Sequence, residues 1–225
     1  MIHIEHFTVN AFQERSLSVS DKDGYCAFID PGFSTPAELE KVKEYVTNKG
    51  LKPVCIMLTH AHFDHIYGVA DLAKTYDIPV YMHPREKHTL EVTNPYLCKA
   101  FGLTEPENFD KSLECEHEKW MTEGIQVGSL KFEVIETPGH TPGGVCFLER
   151  NEKVLFSGDT LFAGAIGRTD HPGGEYDLLM KSIFEGLMCL DGDITVVPGH
   201  GPDSSIADER MTNPFLLPFN EPMDE

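Results

Sequence analysis

Several things are scarce in this 225-residue chain, and each scarcity closes a route. Cations come first: 18 Lys and Arg stand against 37 Asp and Glu, a formal net charge of −19. A surface that acidic repels phosphate backbones and anionic lipid, so neither nucleic acid nor a membrane surface is an expected partner. Long apolar runs are missing as well; none approaches the roughly 20 residues that a membrane-spanning helix needs. The start, Met1-Ile2-His3-Ile4-Glu5-His6-Phe7, has no basic stretch leading into an apolar one, and it reads as a strand and not as a secretion signal. The six cysteines (Cys26, Cys55, Cys98, Cys115, Cys146 and Cys189) form no Cys-x-x-Cys pair. Cys26, Cys55 and Cys146 sit inside apolar runs, where a free thiol behaves as a small hydrophobe. That usage argues against a disulfide framework and points to a reducing, cytoplasmic compartment. A Gly-x-Ser-x-Gly elbow is absent too, and with it the nucleophile turn of the α/β serine hydrolases.

What is present is the composition of a globular protein, 40% hydrophobic and 10% aromatic, at a length that can bury a core without staples. Residues 1–225 are expected to form one domain, with a Pro-rich tail over 212–225. The first thirty residues read as strands: Ile2 and Ile4 alternate with polar positions, Leu17-Ser18-Val19 and Tyr25 to Ile29 follow, and Asp23-Gly24 marks a hairpin. Thr35, Pro36 and Glu38 form a capping box that opens a helix, Leu39, Val42 and Val46 give it an apolar face, and Gly50 ends it. Pro53 to Leu58 is a buried strand. The pattern predicts a helix over 66–76, a strand over 78–82 and a further helix over 84–97 limited by Pro95. Residues 98–123 read as an irregular surface connection carrying the single Trp120. Strands then recur at 130–135, 145–148, 154–157 and 194–197, with helices over 177–190 and 204–211. Strands followed by helices in each half suit an α/β fold in which two sheets face one another between helices, a four-layer αββα sandwich.

The chemistry concentrates where strands end. Thr59-His60-Ala61-His62-Phe63-Asp64-His65 packs three imidazoles and a carboxylate directly after a buried strand, the end at which open α/β sheets bind ligands. Three further strand ends add His140 in Thr137-Pro138-Gly139-His140-Thr141-Pro142-Gly143, Asp159 in Ser157-Gly158-Asp159-Thr160 and His200 in Pro198-Gly199-His200-Gly201. A lone His after a strand is usually structural. Together these supply seven candidate ligands, His60, His62, Asp64, His65, His140, Asp159 and His200, all of types that bind zinc and related ions. Seven exceed the needs of one tetrahedral ion and suit two ions sharing a carboxylate. Such a pair activates a shared hydroxide and polarises a carbonyl, so hydrolysis needs no Ser or Cys nucleophile.

His60-x-His62-x-Asp64-His65 followed by His140, Asp159 and His200 resembles the metallo-β-lactamase superfamily, over essentially residues 5 to 217. The resemblance implies the αββα sandwich with its site on one edge between the sheets. It implies one ion on His60, His62 and His140, a second on Asp64, His65 and His200, and Asp159 as the bridge. An aspartate at the fifth ligand position argues against the commonest subclass of true zinc β-lactamases, which carry Cys there. Gly158 to Asp170, Pro198-Gly199-His200-Gly201-Pro202 and Glu209 to Phe215 narrow the match to short bacterial glyoxalase II-like hydrolases. These are similar to hydroxyacylglutathione hydrolase, which cleaves S-D-lactoylglutathione. The implied activity is therefore hydrolysis of a small-molecule thioester by a metal-bridging hydroxide. The implied cofactors are two divalent ions, zinc first, with iron or manganese also compatible, and Asp64 and Asp159 are the implied catalytic carboxylates. Longer relatives add a C-terminal helical domain that helps bind glutathione, which 225 residues do not accommodate, so the leaving thiol stays open. A persulfide dioxygenase, holding a single non-haem iron on two His and one Asp (His60, His140 and Asp159 or their neighbours), is the competing member of the same superfamily. Arg168 has two readings: it binds an anionic group of the substrate, or it pins the loop by pairing with Asp170. His83, His88, His117 and His171 fall outside the ligand pattern, His171 being the one placed in the site loop.

Overall fold

The structure is a computed structural model that describes residues 1–107 and 117–217; Cys115 and the tail prolines Pro218 and Pro222 lie outside the described residues, as does the side chain of His117. The chain opens with β1 (His3–Val9), β2 (Glu14–Ser20) and β3 (Tyr25–Ile29), then α1 (Pro36–Lys49) and β4 (Lys52–Met57). Two short helices follow, α2 (Phe63–Ile66) and α3 (Val69–Tyr76), and then β5 (Val80–Tyr81). A 3-10 turn at Pro84–Glu86 and a π-helical turn at Thr89–Thr93 lead into α4 (Asn94–Phe101). After α5 (His117–Glu123) come β6 (Ile125–Val127), β7 (Leu130–Glu136), β8 (Val145–Glu149) and β9 (Val154–Gly158). A small hairpin of β10 (Leu161–Phe162) and β11 (Ala165–Ile166) precedes α6 (Tyr176–Ser182), which runs on as a π-helical turn at Ile183–Leu187. The described chain closes with β12 (Thr195–Pro198), β13 (Ser204–Ser205) and α7 (Ile206–Thr212).

The strands make a five-stranded sheet, β1-β2-β3-β4-β5, and a six-stranded one, β13-β12-β9-β8-β7-β6. Side-chain alternation shows how they stack. In β4, Cys55 and Met57 enter a cluster shared with Val145 and Phe147 of β8 and Phe156 of β9, so this cluster lies between the sheets. Ile56 points the other way, to Val42 and Val46 of α1 and Val69 and Leu72 of α3. Cys146 and Leu148 of β8 likewise point outward, to Leu179 of α6 and Ile206 of α7. Helices, sheet, sheet and helices form the expected four-layer αββα sandwich. It also explains why β8 and β9 are buried along their whole length: both faces of each are covered. Each fully buried Phe, Leu or Ile so placed contributes about 1.5–3 kcal/mol before entropy is charged against it.

Strand direction delivers the polar ends to one place. β3, β4 and β5 are mutually parallel. β12 is parallel to β9, and both β7 and β9 run antiparallel to β8, so β7, β9 and β12 point the same way. The segments holding His60 to His65, His140, Asp159 and His200 follow β4, β7, β9 and β12, and all of them reach one edge of the sandwich.

Three expectations are corrected. The helix expected over 66–76 starts three residues earlier, inside the His-rich motif, and is broken at Gly68, whose N–H leaves the helix to donate to Pro31 O at 2.8 Å. Pro95 does not end a helix over 84–97: it occupies the first turn of α4, where its missing N–H costs nothing. Of the segment 98–123, expected to be an irregular connection, the described residues include the end of α4 at Phe101 and all of α5, while 108–116 lie outside the described residues.

The capping box of α1 is present as read, and it reaches further than its own helix. Glu38 accepts N–H bonds from Ser34 at 2.8 Å, from Thr35 at 3.0 Å and from Asn10 at 2.9 Å, and Asn10 in turn donates to Asp64 O at 2.9 Å. Partial burial opposes ionisation of Glu38, but the three N–H donors outweigh it and hold the carboxyl below its ordinary pKa. A carboxylate depressed in the folded state stabilises above the ordinary carboxylate range, and that contribution fades as pH falls through the depressed value. Glu38→Gln should therefore lower stability at neutral pH and progressively less in acid, read from urea melts across pH. Thr35→Ala should cost about 1 kcal/mol in the same melts.

Candidate metal centre

The His-rich motif spans the change from strand to helix, with β4 ending at Met57 and α2 beginning at Phe63. Thr59 is fixed first: its N–H donates to Asp30 Oδ1 at 2.7 Å and its hydroxyl to Asp30 Oδ2 at 2.5 Å. His62 then caps α2 in an extended conformation, and Asp64 and His65 lie in the first turn. That turn separates the motif into two pairs. The ligand-type atoms of His60, His62 and His140 lie within 4.8 Å of one another, and so do those of Asp64, His65 and His200. Asp159 stands between the trios: its Oδ1 is 3.4 Å from His65 Nε2, while its Oδ2 is 3.6 Å from His140 Nε2 and 3.7 Å from His200 Nε2. All seven sequence-predicted ligands are thus brought together. Asp30, His60 and His65 also cluster, but the Asp30 oxygens are already taken by Thr59 and by His65 Nδ1, so Asp30 supports the site from behind.

Hydrogen bonds to the far side of the rings set which nitrogen faces the centre. His140 Nδ1 donates to Arg168 O at 2.7 Å, His65 Nδ1 to Asp30 Oδ2 at 3.1 Å and His200 Nδ1 to Phe12 O at 3.1 Å. Each of these rings then turns an Nε2 lone pair inward. His140 Nε2 sits 2.9 Å from His62 Nδ1, and His65 Nε2 sits 3.2 Å from His200 Nε2. His60 Nε2 and Asp159 Oδ1 are buried without a hydrogen-bond partner among the described residues. With both Nδ1 atoms donating outward, His65 Nε2 and His200 Nε2 face each other as acceptors, and a cation between them and the unpaired His60 Nε2 and Asp159 Oδ1 would satisfy all four. The donor set therefore fits divalent ions.

Charge follows position. Burial, reinforced by neighbouring imidazoles, holds His60 and His62 well below the ordinary imidazole pKa; burial takes His140 down to about 4 against the pull of Asp159. Burial acts the same way on His65 and His200, but the carboxylates of Asp159 and Asp64 overcome it and raise both. Burial also opposes ionisation of Asp159, yet the imidazoles of His65, His200 and His140 hold it ionised. The first trio is thus a set of neutral imidazoles, while the second includes a carboxylate, Asp64, and Asp159 lies between the two.

Close backbone approach completes the centre. A Cβ on Gly199 would lie 2.6 Å from Asp159 Oδ1 and 2.7 Å from His65 Cε1, so the residue before His200 has no room for a side chain. Asp30, Glu86 and Asn94 were not singled out by sequence reasoning. For Asp30 a signal existed: it ends β3, parallel to and adjacent to the strand that carries the motif. Arg168 contributes by its carbonyl, while its guanidinium forms a two-pronged pair with Asp170 at 2.9 Å on each arm. His171 lies against the first trio, its ring centroid 4.8 Å from His62 and 5.2 Å from His140. His83 is buried and caps the 3-10 turn by accepting from Arg85 N. The described cysteines are free, and burial pushes the Cys26 and Cys146 thiols up to about 12 and 11, so neither offers a thiolate at neutral pH. Among the described residues no helix is long and apolar enough to cross a membrane.

Residues 16–200 match the metallo-beta-lactamase superfamily. The chain is 34% identical over 218 residues to the hydroxyacylglutathione hydrolase GloC of Haemophilus influenzae, an alignment covering 96% of this chain and 98% of that one. It resembles the crystal structure of the BLEG-1 B3 metallo-beta-lactamase at a TM-score of 0.80 and 33% identity, over 95% of this chain and 99% of that one. The crystal structure of TTHA1623 in a di-iron-bound form superposes at a TM-score of 0.78 and 37% identity, over 94% and 100% of the two chains. On its ligand pattern, its sandwich and these matches, the chain belongs to the metallo-beta-lactamase superfamily.

Proposed function

We propose that this protein hydrolyses a small-molecule thioester at a centre of two divalent ions. The observation that carries the reading is the pair of inward-facing ligand trios with Asp159 between them. His60, His62 and His140 would hold one ion, Asp64, His65 and His200 the other, and Asp159 both. Ions so held supply Lewis acidity and a water acidic enough to attack a carbonyl at neutral pH. The protein's part is to fix the ligands: Asp30, Arg168 O and Phe12 O hold three imidazoles in the tautomer that faces inward. Asp64 and Asp159 bring the negative charge that balances the cations. The buried thiols of Cys26 and Cys146 stay unionised at neutral pH and so do not compete with water.

The thioester class is supported by the near full-length match to a hydroxyacylglutathione hydrolase. S-D-lactoylglutathione is the first substrate to test, and the natural thiol is a separate question. Zinc heads the candidate metals; iron and manganese suit the same donors, and the TTHA1623 structure, named as di-iron-bound, supports iron as the first alternative. The Arg168 guanidinium is committed to Asp170 and both side chains are largely exposed, which supports loop pinning over substrate binding.

The direct test is thiol release from a panel of thioesters by the metal-loaded protein. Hydrolysis should disappear on chelation and return with zinc. No turnover of any thioester, or turnover indifferent to chelation, would sink the proposal. Preferential cleavage of a β-lactam would move the substrate class instead. Oxygen uptake with glutathione persulfide at one iron per chain would replace the reading by the dioxygenase. Asp159→Asn should lower kcat/KM by about 100-fold or more, because both ions lose a ligand. Arg168→Ala should stay within about threefold of wild type, since the carbonyl that orients His140 remains and an exposed ion pair is worth little; a much larger rise in KM would assign the guanidinium to substrate.

A further inference from the structure

The 3-10 turn and α4 resemble ordinary covering structure, yet they send two fully buried polar side chains to the same residue of the His-rich motif, Ala61. Glu86 Oε2 accepts the Ala61 N–H at 2.7 Å. Its other oxygen accepts the Gly143 N–H at 2.8 Å. Ala61 is the residue between His60 and His62, and Gly143 is three residues past His140. Asn94 holds the same motif from the other side: Nδ2 donates to Ala61 O at 2.8 Å and Oδ1 accepts the Phe63 N–H at 3.0 Å. Glu86 is 0% exposed and Asn94 2%. Neither side chain has a recorded hydrogen bond to a side chain of the proposed ligands.

We propose that Glu86 is a positioning residue that sets the spacing of the three-imidazole trio by clamping its two loops with the two oxygens of one carboxylate, with Asn94 holding the carbonyl of the same residue, Ala61. This inference rests on the two-ion reading above. Two segments some 80 residues apart in sequence are joined here through the span of a single carboxylate. The fit leaves no slack at Gly143, where a Cβ would lie 2.8 Å from His83 Nδ1, 2.9 Å from Glu86 N and 3.0 Å from Glu86 Oε1. The Glu86 bonds touch no backbone of Asp64, His65 or His200; the motif's tie there is Asn10 to Asp64 O. The clamp therefore acts on one ion's pocket and not on the other's.

Glu86→Gln keeps the volume but exchanges one acceptor for a donor, so either Ala61 N–H or Gly143 N–H meets an NH2 group. The test challenges the full chain, loaded with Co(II), with a graded series of chelator concentrations, and reads the visible absorption of the bound ion. Glu149→Gln is the control, a buried carboxylate accepting the Glu152 N–H at 2.7 Å with no recorded bond to the ligand loops. In Glu86→Gln one of the two equivalents should be lost at about 10–100-fold lower chelator concentration, the range for groups one step removed from a metal, and the other as in wild type. The absorption of the weakened ion should change band shape as its geometry loosens. Release of both equivalents as in wild type would overturn the proposal. So would joint weakening of both in step with a fall in Tm shared by Glu149→Gln. Should Glu86→Gln not fold, Glu86→Asp carries the same selective prediction, because the shortened carboxylate cannot reach both the Ala61 and Gly143 N–H groups; failure of both to fold would assign Glu86 to the core and end the proposal. If wild type binds a single ion, the two-ion reading falls, and the Glu86 inference is still decided by whether that ion is loosened.

Discussion

The structure depends on keeping one carboxylate ionised in a buried place. Asp159 has its oxygens within 3.4–3.7 Å of three imidazoles and little solvent around it. An isolated buried charge is costly, and removing its partners leaves that cost uncompensated. The stabilisation that offsets it comes from elsewhere in the chain. The cluster between the sheets and the two clusters beneath the helices surround the polar edge with densely covered strands. An apolar sandwich thus supports a set of mutually repelling acceptors, the trade expected where a protein keeps a strained or electrostatically frustrated site for function.

Direction of travel makes that trade possible. Because β4, β7, β9 and β12 deliver their following loops to one edge, four separate segments converge without any long connection inside the core. Around them, carbonyls and carboxylates restrict the rings. Arg168 O, Phe12 O and Asp30 each take one imidazole proton, and each lies on a different segment. The last helix takes part as well. Glu209 accepts the Gly164 N–H, and Asn213 donates to Ala165 O, which anchors the small hairpin running from Asp159 towards Arg168. The sequence stretch from Glu209 to Phe215 thereby has a physical reason to accompany the ligand pattern.

Much of this was legible in the chain itself, for reasons that differ by residue. Thr35 and Glu38 announce α1 because a cap acts over three positions. The ligands announce themselves because His and Asp recur at Gly- or Pro-marked strand ends. Pro95 misled because proline both stops helices and starts them, and only the neighbouring turn decides between the two. The break at Gly68 was hidden because its cause is a carbonyl 37 residues upstream, Pro31 O. Glu86 and Asn94 were invisible for the same reason: an acid or amide in an ordinary segment acquires its role from a backbone group 25 or more residues away. Two-residue strands such as β10, β11 and β13 are too short to show any alternation.

His200 differs from the other six ligand residues in one respect. Its side chain is 26% exposed, while those of His65, Asp64, Asp159 and His140 lie between 0% and 12%. The centre is therefore one-sided: it has a door and a back wall. Whatever arrives from solvent meets the imidazole held by Phe12 O first, and His60, His62 and His65 last. What holds that exposed ring is not in the His-rich motif at all but in the turn between β1 and β2, nearly two hundred residues away in sequence.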